Sequence, residues 1–298
     1  MLFQLPKIPA EMHVTHLNAR VNEQRKKIIQ STTSKIEFLK FNKQLAKEAK
    51  QRKKNNNKVY VIDFKGDVQA SAVSALREEI TLILSTAKAG QDRILIRLES
   101  PGGMVHGYGL AAAQLVRLRE AGFHVTIVVD KVAASGGYMM ACIANEIIAA
   151  PFAIVGSIGV VAQVPNFNRL LKKHDVDFEV LTAGEYKRTL TVFGENTDKG
   201  REKFQEDLET THELFKGFVA RYRPQLSIDE VATGEVWLGV SALNKHLVDE
   251  LKTSDEYLAE RVREAELFHL HFAEKKSLPE RFGLAASVTL DRLLLNWW

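Results

Sequence analysis

The chain has 298 residues, of which 45% are hydrophobic and 26% are charged, a balance typical of a folded protein with a sizeable core. This composition excludes a disordered or fibrous chain, and the single cysteine, Cys142, excludes an internal disulfide. The net charge is only +4, but residues 1–58 carry 14 Lys and Arg against 4 Asp and Glu, so the basic charge is concentrated in a leader. A His/Cys metal site is disfavoured by the lone cysteine, and we expect neither a metal nor a cofactor.

Apolar positions spaced through residues 17–54, in a background rich in Lys and Gln, predict one long and mostly exposed basic helix. Asn55, Asn56 and Asn57 end it, which predicts a folded domain over 58–298, preceded over 1–57 by a basic helical leader or a membrane-proximal segment. Clustered lysines fit an anionic membrane surface and equally a solvated helix face, whereas the scarcity of aromatic residues argues against nucleic acid as a partner. The sequence contains neither a run of about 18 apolar residues nor a signal peptide.

Strands and helices alternate from Lys58 onward. The strands are predicted at 59–64, 94–98, 125–129, 146–150 and 178–181, and the helices at 71–87, 107–120, 166–173, 198–222 and 239–266. This alternation predicts an α/β fold with a parallel sheet and right-handed crossover helices. The strands are apolar throughout, which suits burial on both faces of the sheet.

Ser135 lies among small residues at 132–138, where an apolar strand gives way to an apolar helix. A serine nucleophile needs a base within hydrogen-bond reach and donors for the oxyanion that forms when it attacks a carbonyl. The N–H of Gly136, together with that of Gly102 or Gly103 in the preceding glycine turn, can supply those donors. Taken alone, the same residues also fit a tight strand-to-helix junction without catalysis.

The base must be a histidine or a lysine. His106 and His174 are both expected to be structural or solvated. Lys187 is the better candidate, because the apolar residues at 190–193 can form a water-poor site in which a lysine loses its proton more easily. Ser157, in a glycine-flanked turn, can orient the amine. On the residues alone, Lys187 also fits a surface lysine and Ser157 an ordinary turn residue.

Four motifs occur in order: Ser100-Pro101-Gly102-Gly103, Ala134-Ser135-Gly136-Gly137-Tyr138, Gly156-Ser157-Ile158-Gly159-Val160 and Tyr186-Lys187-Arg188. Together they resemble the signal peptide peptidase A family of serine proteases, and longer strings at 98–110, 165–169 and 194–197 resemble its SohB branch. The resemblance covers about residues 58–298. It implies a ClpP/crotonase-like fold and a Ser-Lys dyad, in which Ser135 matches the nucleophile, Lys187 the general base and Ser157 the hydroxyl that positions the lysine. Gly102 or Gly103 matches the family's oxyanion turn.

The resemblance further implies a serine endopeptidase acting on peptides or unfolded apolar segments such as remnant signal peptides. It implies ring-like or dome-like homo-oligomers, whose serine and lysine can come from adjacent subunits, and a protease domain outside the inner membrane. Family members usually begin with a membrane-spanning segment, where this sequence has a basic helix, so a missing upstream segment and a soluble protein both stay open. Two other functions stay open: an acyl-CoA hydratase or isomerase of the same fold, and a non-catalytic scaffold.

Overall fold

The structure is a computed structural model that describes residues 11–273 of the chain. The predicted leader and the predicted folded domain both extend beyond this range, at 1–10 and 274–298. The described residues divide into two units, the first made of 11–156 with 236–273 and the second of Ser157–Glu235.

A mostly parallel sheet of seven strands forms the first unit. The strands of the described residues, all in this unit, are β1 (Glu11–His16), β2 (Lys58–Lys65), β3 (Arg93–Glu99), β4 (His124–Val129), β5 (Val132–Ala134), β6 (Glu146–Ala149), β7 (Ile154–Gly156), β8 (Val236–Leu238), β9 (Glu250–Leu251) and β10 (Glu266–Ala273). The large sheet has the order β1-β10-β2-β3-β4-β6-β9, and a small second sheet has the order β5-β7-β8. In the large sheet only the β1-β10 pair is antiparallel. The α/β class with a mostly parallel sheet is therefore confirmed.

Helices cover the large sheet, and three helices joined by irregular segments occur in the second unit. The first unit contains α1 (Leu17–Thr32), α2 (Lys35–Asn55), α3 (Val73–Thr86), α4 (Val105–Glu120), α5 (Gly136–Ala141), α9 (Gly239–Asn244) and α10 (Ser254–Glu264), and the second contains α6 (Asn168–Lys173), α7 (Asp198–Tyr222) and α8 (Ile228–Val231). Successive strand residues point to opposite faces, and Leu95 and Ile96 are both fully buried, so β3 is covered on both sides. Leu17 of α1 and Leu258 of α10 pack on the face that contains Leu95.

The leader contains two helices rather than the single helix that its composition predicts. Ser34 begins the second helix with a capping box: its hydroxyl accepts the Glu37 N–H at 3.4 Å, and the Glu37 carboxylate accepts the Ser34 N–H at 3.0 Å. This cap satisfies backbone N–H groups that have no partner inside a helix, so a new helix starts here. Within residues 11–273, no helix is long and apolar enough to span a bilayer.

Two predicted elements are absent or divided. Residues 178–181 do not form a strand, and Leu181 is 90% exposed, so apolar composition without a neighbouring strand to pair with did not produce one. The predicted helix at 239–266 is instead α9, β9 and α10, followed by β10. It is interrupted where His246 takes a φ of 59°, and α10 starts anew at a capping box between Thr253 and Glu256.

Candidate active site

Ser135 occupies the turn between β5 and α5 in a conformation that side chains rarely adopt. Its φ is 52° and its ψ is −119°. The turn is fixed on both sides, because the Ser135 N–H donates to the Gly156 carbonyl at 2.8 Å and its own carbonyl accepts the Met139 N–H at 2.9 Å. A sharp strand-to-helix turn with a strained serine is how several hydrolases present a nucleophile, and non-glycine strain of this kind clusters at functional sites. The serine is partly exposed.

The glycine turn that follows β3 lies directly against this serine. The Ser100 N–H donates to the Val132 carbonyl at 2.8 Å, and the Ala134 N–H donates to the Ser100 carbonyl at 3.0 Å, so the turn is bonded to β5. A Cβ atom placed on Gly102 would lie 2.7 Å from the Ser135 Cβ, closer than real side chains approach. Only glycine fits here, and the structure brings Gly102 and Gly136 together beside Ser135, while Gly103 follows Gly102 and packs against the Val68 backbone.

The backbone N–H groups of these glycines are not equivalent as oxyanion donors. The Gly102 N–H already donates to the Ser100 hydroxyl at 3.1 Å. Over residues 11–273, neither the Gly103 N–H nor the Gly136 N–H has a hydrogen-bond acceptor. Gly136 is the first residue of α5, where helical N–H groups lack partners. Gly103 and Gly136 therefore offer free N–H donors. Gly102 has no side chain, which leaves room for Ser135.

A chain of buried hydroxyl groups supports the glycine turn. The Ser100 hydroxyl lies 2.6 Å from the Tyr108 hydroxyl, which donates to the Asp67 carbonyl at 2.8 Å. Ser100 and Tyr108 have no exposed surface, and a Cβ on Gly136 would clash with the Tyr108 ring. Sequence reasoning gave Tyr108 no role, because a tyrosine on an apolar helix carries no signal of its hydroxyl partner. The chain of bonds rigidifies the glycine turn.

The second unit contains Ser157 and Lys187. Ser157 has a φ of 52°, and its N–H donates to the Glu235 carbonyl at 2.6 Å. Lys187 lies in an irregular segment, where its N–H donates to the Gly184 carbonyl at 3.2 Å, and its side chain is exposed. The water-poor surroundings that the sequence predicts for Lys187 therefore stay a prediction. His106 and His174, the alternative bases, are also exposed.

Asparagine side chains hold the segment that follows Lys187. The Asn166 amide donates to the Thr191 carbonyl at 2.9 Å and to the Gly194 carbonyl at 3.0 Å. Asn196 accepts the Thr191 N–H at 2.8 Å and returns a bond to the Thr191 carbonyl at 3.1 Å. The asparagines of the strings at 165–169 and 194–197 therefore hold the segment 191–196 in place. Over the described residues, no group of three or more His, Cys, Asp or Glu could hold a metal ion.

Two family models match this chain. Residues 5–115 match the N-terminal model of peptidase family S49, and residues 117–267 match the model of peptidase family S49 itself. The chain belongs to peptidase family S49. The resemblance to a protease family that the motifs indicated is thereby confirmed, and Ser135 lies within the second matched region.

Bacterial proteins named as proteases are similar over most of this chain. A probable protease SohB from Haemophilus influenzae is 59% identical over 76% of this chain and 64% of that relative. A probable protease SohB from Buchnera aphidicola subsp. Schlechtendalia chinensis is 54% identical over 84% of this chain and 87% of that relative. A protease 4 from Haemophilus influenzae is 30% identical over 67% of this chain and 34% of that relative. The SohB branch that the longer strings indicated is thereby supported, and these relatives support a protease.

Proposed function

We propose that this S49 family protein is a serine endopeptidase with a Ser-Lys dyad and a ClpP/crotonase-like fold. The observation that carries the proposal is the strained Ser135 turn packed against the glycine turn at Gly102. A partly exposed serine with free backbone N–H donors in its own turn and in the adjoining glycine turn suits acyl transfer, because charge develops on the carbonyl oxygen during attack. The relatives named as proteases support the same reaction.

In the proposed mechanism, the Ser135 oxygen bonds to the carbonyl carbon of the scissile peptide while its proton passes to the neutral Lys187 amine. The Gly103 and Gly136 N–H groups donate to the resulting oxyanion. Collapse breaks the C–N bond, and the Lys187 ammonium returns the proton to the departing amine. Water then hydrolyses the acyl-enzyme by the same proton route. Ser157 orients the amine.

The proposed substrates are peptides or unfolded apolar segments, such as remnant signal peptides, and the proposed active form is a homo-oligomer. Both follow from the resemblance, as does the proposed place of the domain outside the inner membrane. Apolar side chains exposed in the second unit, with Leu181 at 90% and Phe193 at 43%, support contact with further copies or with apolar substrate. Protease accessibility of the domain in spheroplasts tests the proposed location.

Labelling with a fluorophosphonate probe, followed by peptide mapping, tests the proposed nucleophile. We expect the label on Ser135, with Ser135→Ala unlabelled and unable to hydrolyse peptides. Lys187→Ala is expected to lose hydrolysis by at least about 100-fold, whereas the exposed Lys173→Ala retains it. Circular dichroism checks that each variant is folded. Hydrolysis by Ser135→Ala, or binding of a CoA thioester by an unlabelled wild-type protein, contradicts the proposal, and the latter favours the hydratase class.

A further inference from the structure

One face of α2 carries five lysines and no acidic residue. At 100° per residue, Lys40, Lys43, Lys47, Lys50 and Lys54 fall within about 60° of a single line along the helix, and all five are exposed. The two acidic residues of α2, Glu37 and Glu48, lie off this face. A solvated surface helix usually mixes both signs of charge, so an unmixed stripe about 20 Å long is a directed positive surface.

The opposite face of α2 is fastened to the protein. Leu45 is 5% exposed, and Arg52 is 4% exposed and donates to the Glu266 carboxylate of β10 at 3.0 Å. Phe41 is partly buried and lies under the Arg25 guanidinium of α1, 5.3 Å from its ring centre. These contacts fix the rotation of the helix about its axis. The lysine face consequently points away from the packed side of the helix.

Two large apolar side chains continue the lysine face toward the start of α2. Ile36 is 67% exposed and Leu39 is 56% exposed, and both fall within the same 60° of the line. Ile28, close to the end of α1, is 62% exposed. Exposed isoleucine and leucine gain nothing from water or from phosphate, but they gain free energy when they enter the boundary between lipid headgroups and acyl chains.

We propose that this face of α2 is a docking surface for an anionic lipid bilayer. The lysines lie along the headgroups, and Ile36 and Leu39 enter the interface at one end, so the helix lies flat on the membrane. Nucleic acid fits less well, because the aromatic side chains of α2, Phe38 and Phe41, lie on the opposite face and cannot stack on bases. The proposal depends on α2 alone and is independent of the proposed peptidase activity.

Vesicle co-sedimentation of the full chain tests the surface. We expect binding to vesicles of phosphatidylcholine with 30% phosphatidylglycerol and little binding to pure phosphatidylcholine. The triple variant Lys43→Gln, Lys47→Gln, Lys50→Gln is expected to bind about 100-fold more weakly, since each lysine near an anionic surface contributes about tenfold or less. A matched triple variant at exposed lysines elsewhere, Lys65→Gln, Lys88→Gln, Lys173→Gln, keeps the wild-type affinity.

A second pair of variants separates insertion from charge attraction. The double variant Ile36→Gln, Leu39→Gln is expected to bind anionic vesicles at low salt. It is expected to lose the vesicle binding that the wild type retains at 0.5 M NaCl, where charge attraction is screened. Equal loss in the two lysine triples overturns the proposal, because net charge alone would then account for binding. Binding of the wild type to a duplex DNA fragment but not to anionic vesicles also overturns the proposal. An unchanged vesicle affinity of the variant at Lys43, Lys47 and Lys50 overturns it as well.

Discussion

At the scale of single residues, Gly102 combines a left-handed backbone conformation with close contact to Ser135. Its φ is 92°, and a Cβ there would lie 2.7 Å from the Ser135 Cβ and 2.8 Å from the Gly136 nitrogen. We therefore predict that Gly102→Ala displaces the serine or the neighbouring donor and lowers kcat/KM for peptide hydrolysis by about 100-fold or more. Steady-state kinetics and the rate of fluorophosphonate labelling both measure this loss.

Gly90 provides the control for backbone strain. Its φ of 77° is similar, but a Cβ at Gly90 meets no atom within 4 Å. Gly90→Ala should cost about 1 to 2 kcal/mol of unfolding free energy, as a left-handed non-glycine residue does, without changing kcat/KM. If Gly102→Ala and Gly90→Ala lose the same small stability and both remain fully active, the close approach at Ser135 has no part in catalysis.

Glu79 is a buried carboxyl that makes stability depend on pH. Burial raises its pKa to about 7, against a hydrogen bond from the Phe272 N–H at 2.9 Å that lowers it. Because the folded pKa lies above the ordinary value of 4.5, the stabilisation is complete below pH 4.5 and is lost as pH rises through 7. Glu79→Gln keeps an acceptor and cannot ionise. We predict that its stability relative to the wild type rises by about 2.5 kcal/mol between pH 5 and pH 8.

Urea unfolding at pH 5, 6, 7 and 8 measures the difference in stability between Glu79→Gln and the wild type. The control is Glu78→Gln, which changes the exposed neighbouring residue. Burial would raise the pKa of Asp63, but hydrogen bonds from His269 and Arg97 lower it to about 2, below the range measured. Burial lowers the pKa of His124 and gives the opposite slope, but that contribution is common to all variants and cancels. A parallel pH profile for Glu79→Gln and Glu78→Gln would contradict the assignment.

At the scale of elements, the capping box at Ser34 separates the two leader helices. Ser34→Ala removes the acceptor of the Glu37 N–H and should cost about 1 kcal/mol locally. We predict that amide hydrogen exchange in the first turn of α2 accelerates about fivefold. Ser31→Ala is the matched control, because the Ser31 hydroxyl only donates to the Ile28 carbonyl within α1. Equal protection in the two variants would show that the cap does not hold the start of α2.

The central elements could be predicted because composition and spacing decide them locally. Strand β3 and helix α7 agree with their predicted ranges to within one residue. The break between α1 and α2 was not predicted, although Ser34-Lys35-Ile36-Glu37 fits the sequence pattern of a capping box. The apolar spacing continues on both sides of Ser34 and therefore suggested a single helix. The antiparallel pairing of β1 with β10 joins segments about 250 residues apart, and no local pattern of a single chain encodes such a contact.

At the scale of the whole molecule, the candidate site residues are divided between the two units: Ser135 and the glycine turn lie in the first, and Ser157 and Lys187 lie in the second. Ser135 and the glycine turn could be predicted, because small residues at a strand-to-helix junction are a local signal. The surroundings of Lys187 could not be predicted in the same way, because the desolvation of a side chain depends on what covers it. The Lys187 side chain is exposed in the single chain. In the same unit, Val180, Leu181 and Phe193 expose apolar side chains that a second copy could cover.

Complementation between inactive variants tests whether a second copy completes the dyad. If Ser135 acts with Lys187 of an adjacent subunit, oligomers that mix Ser135→Ala and Lys187→Ala chains contain some intact pairs, about one quarter in a random mixture. We therefore predict that the two variants, each inactive alone, regain about a quarter of the wild-type peptide hydrolysis when they are co-expressed. The Ser135→Ala chain co-expressed with the double variant Ser135→Ala, Lys187→Ala must stay inactive, since no chain then supplies the serine. Two affinity tags verify that mixed oligomers form. Mixed oligomers without activity would place the proton transfer within one chain, and Lys187 would then have to lose its water by a rearrangement of its own loop rather than by contact with a neighbour.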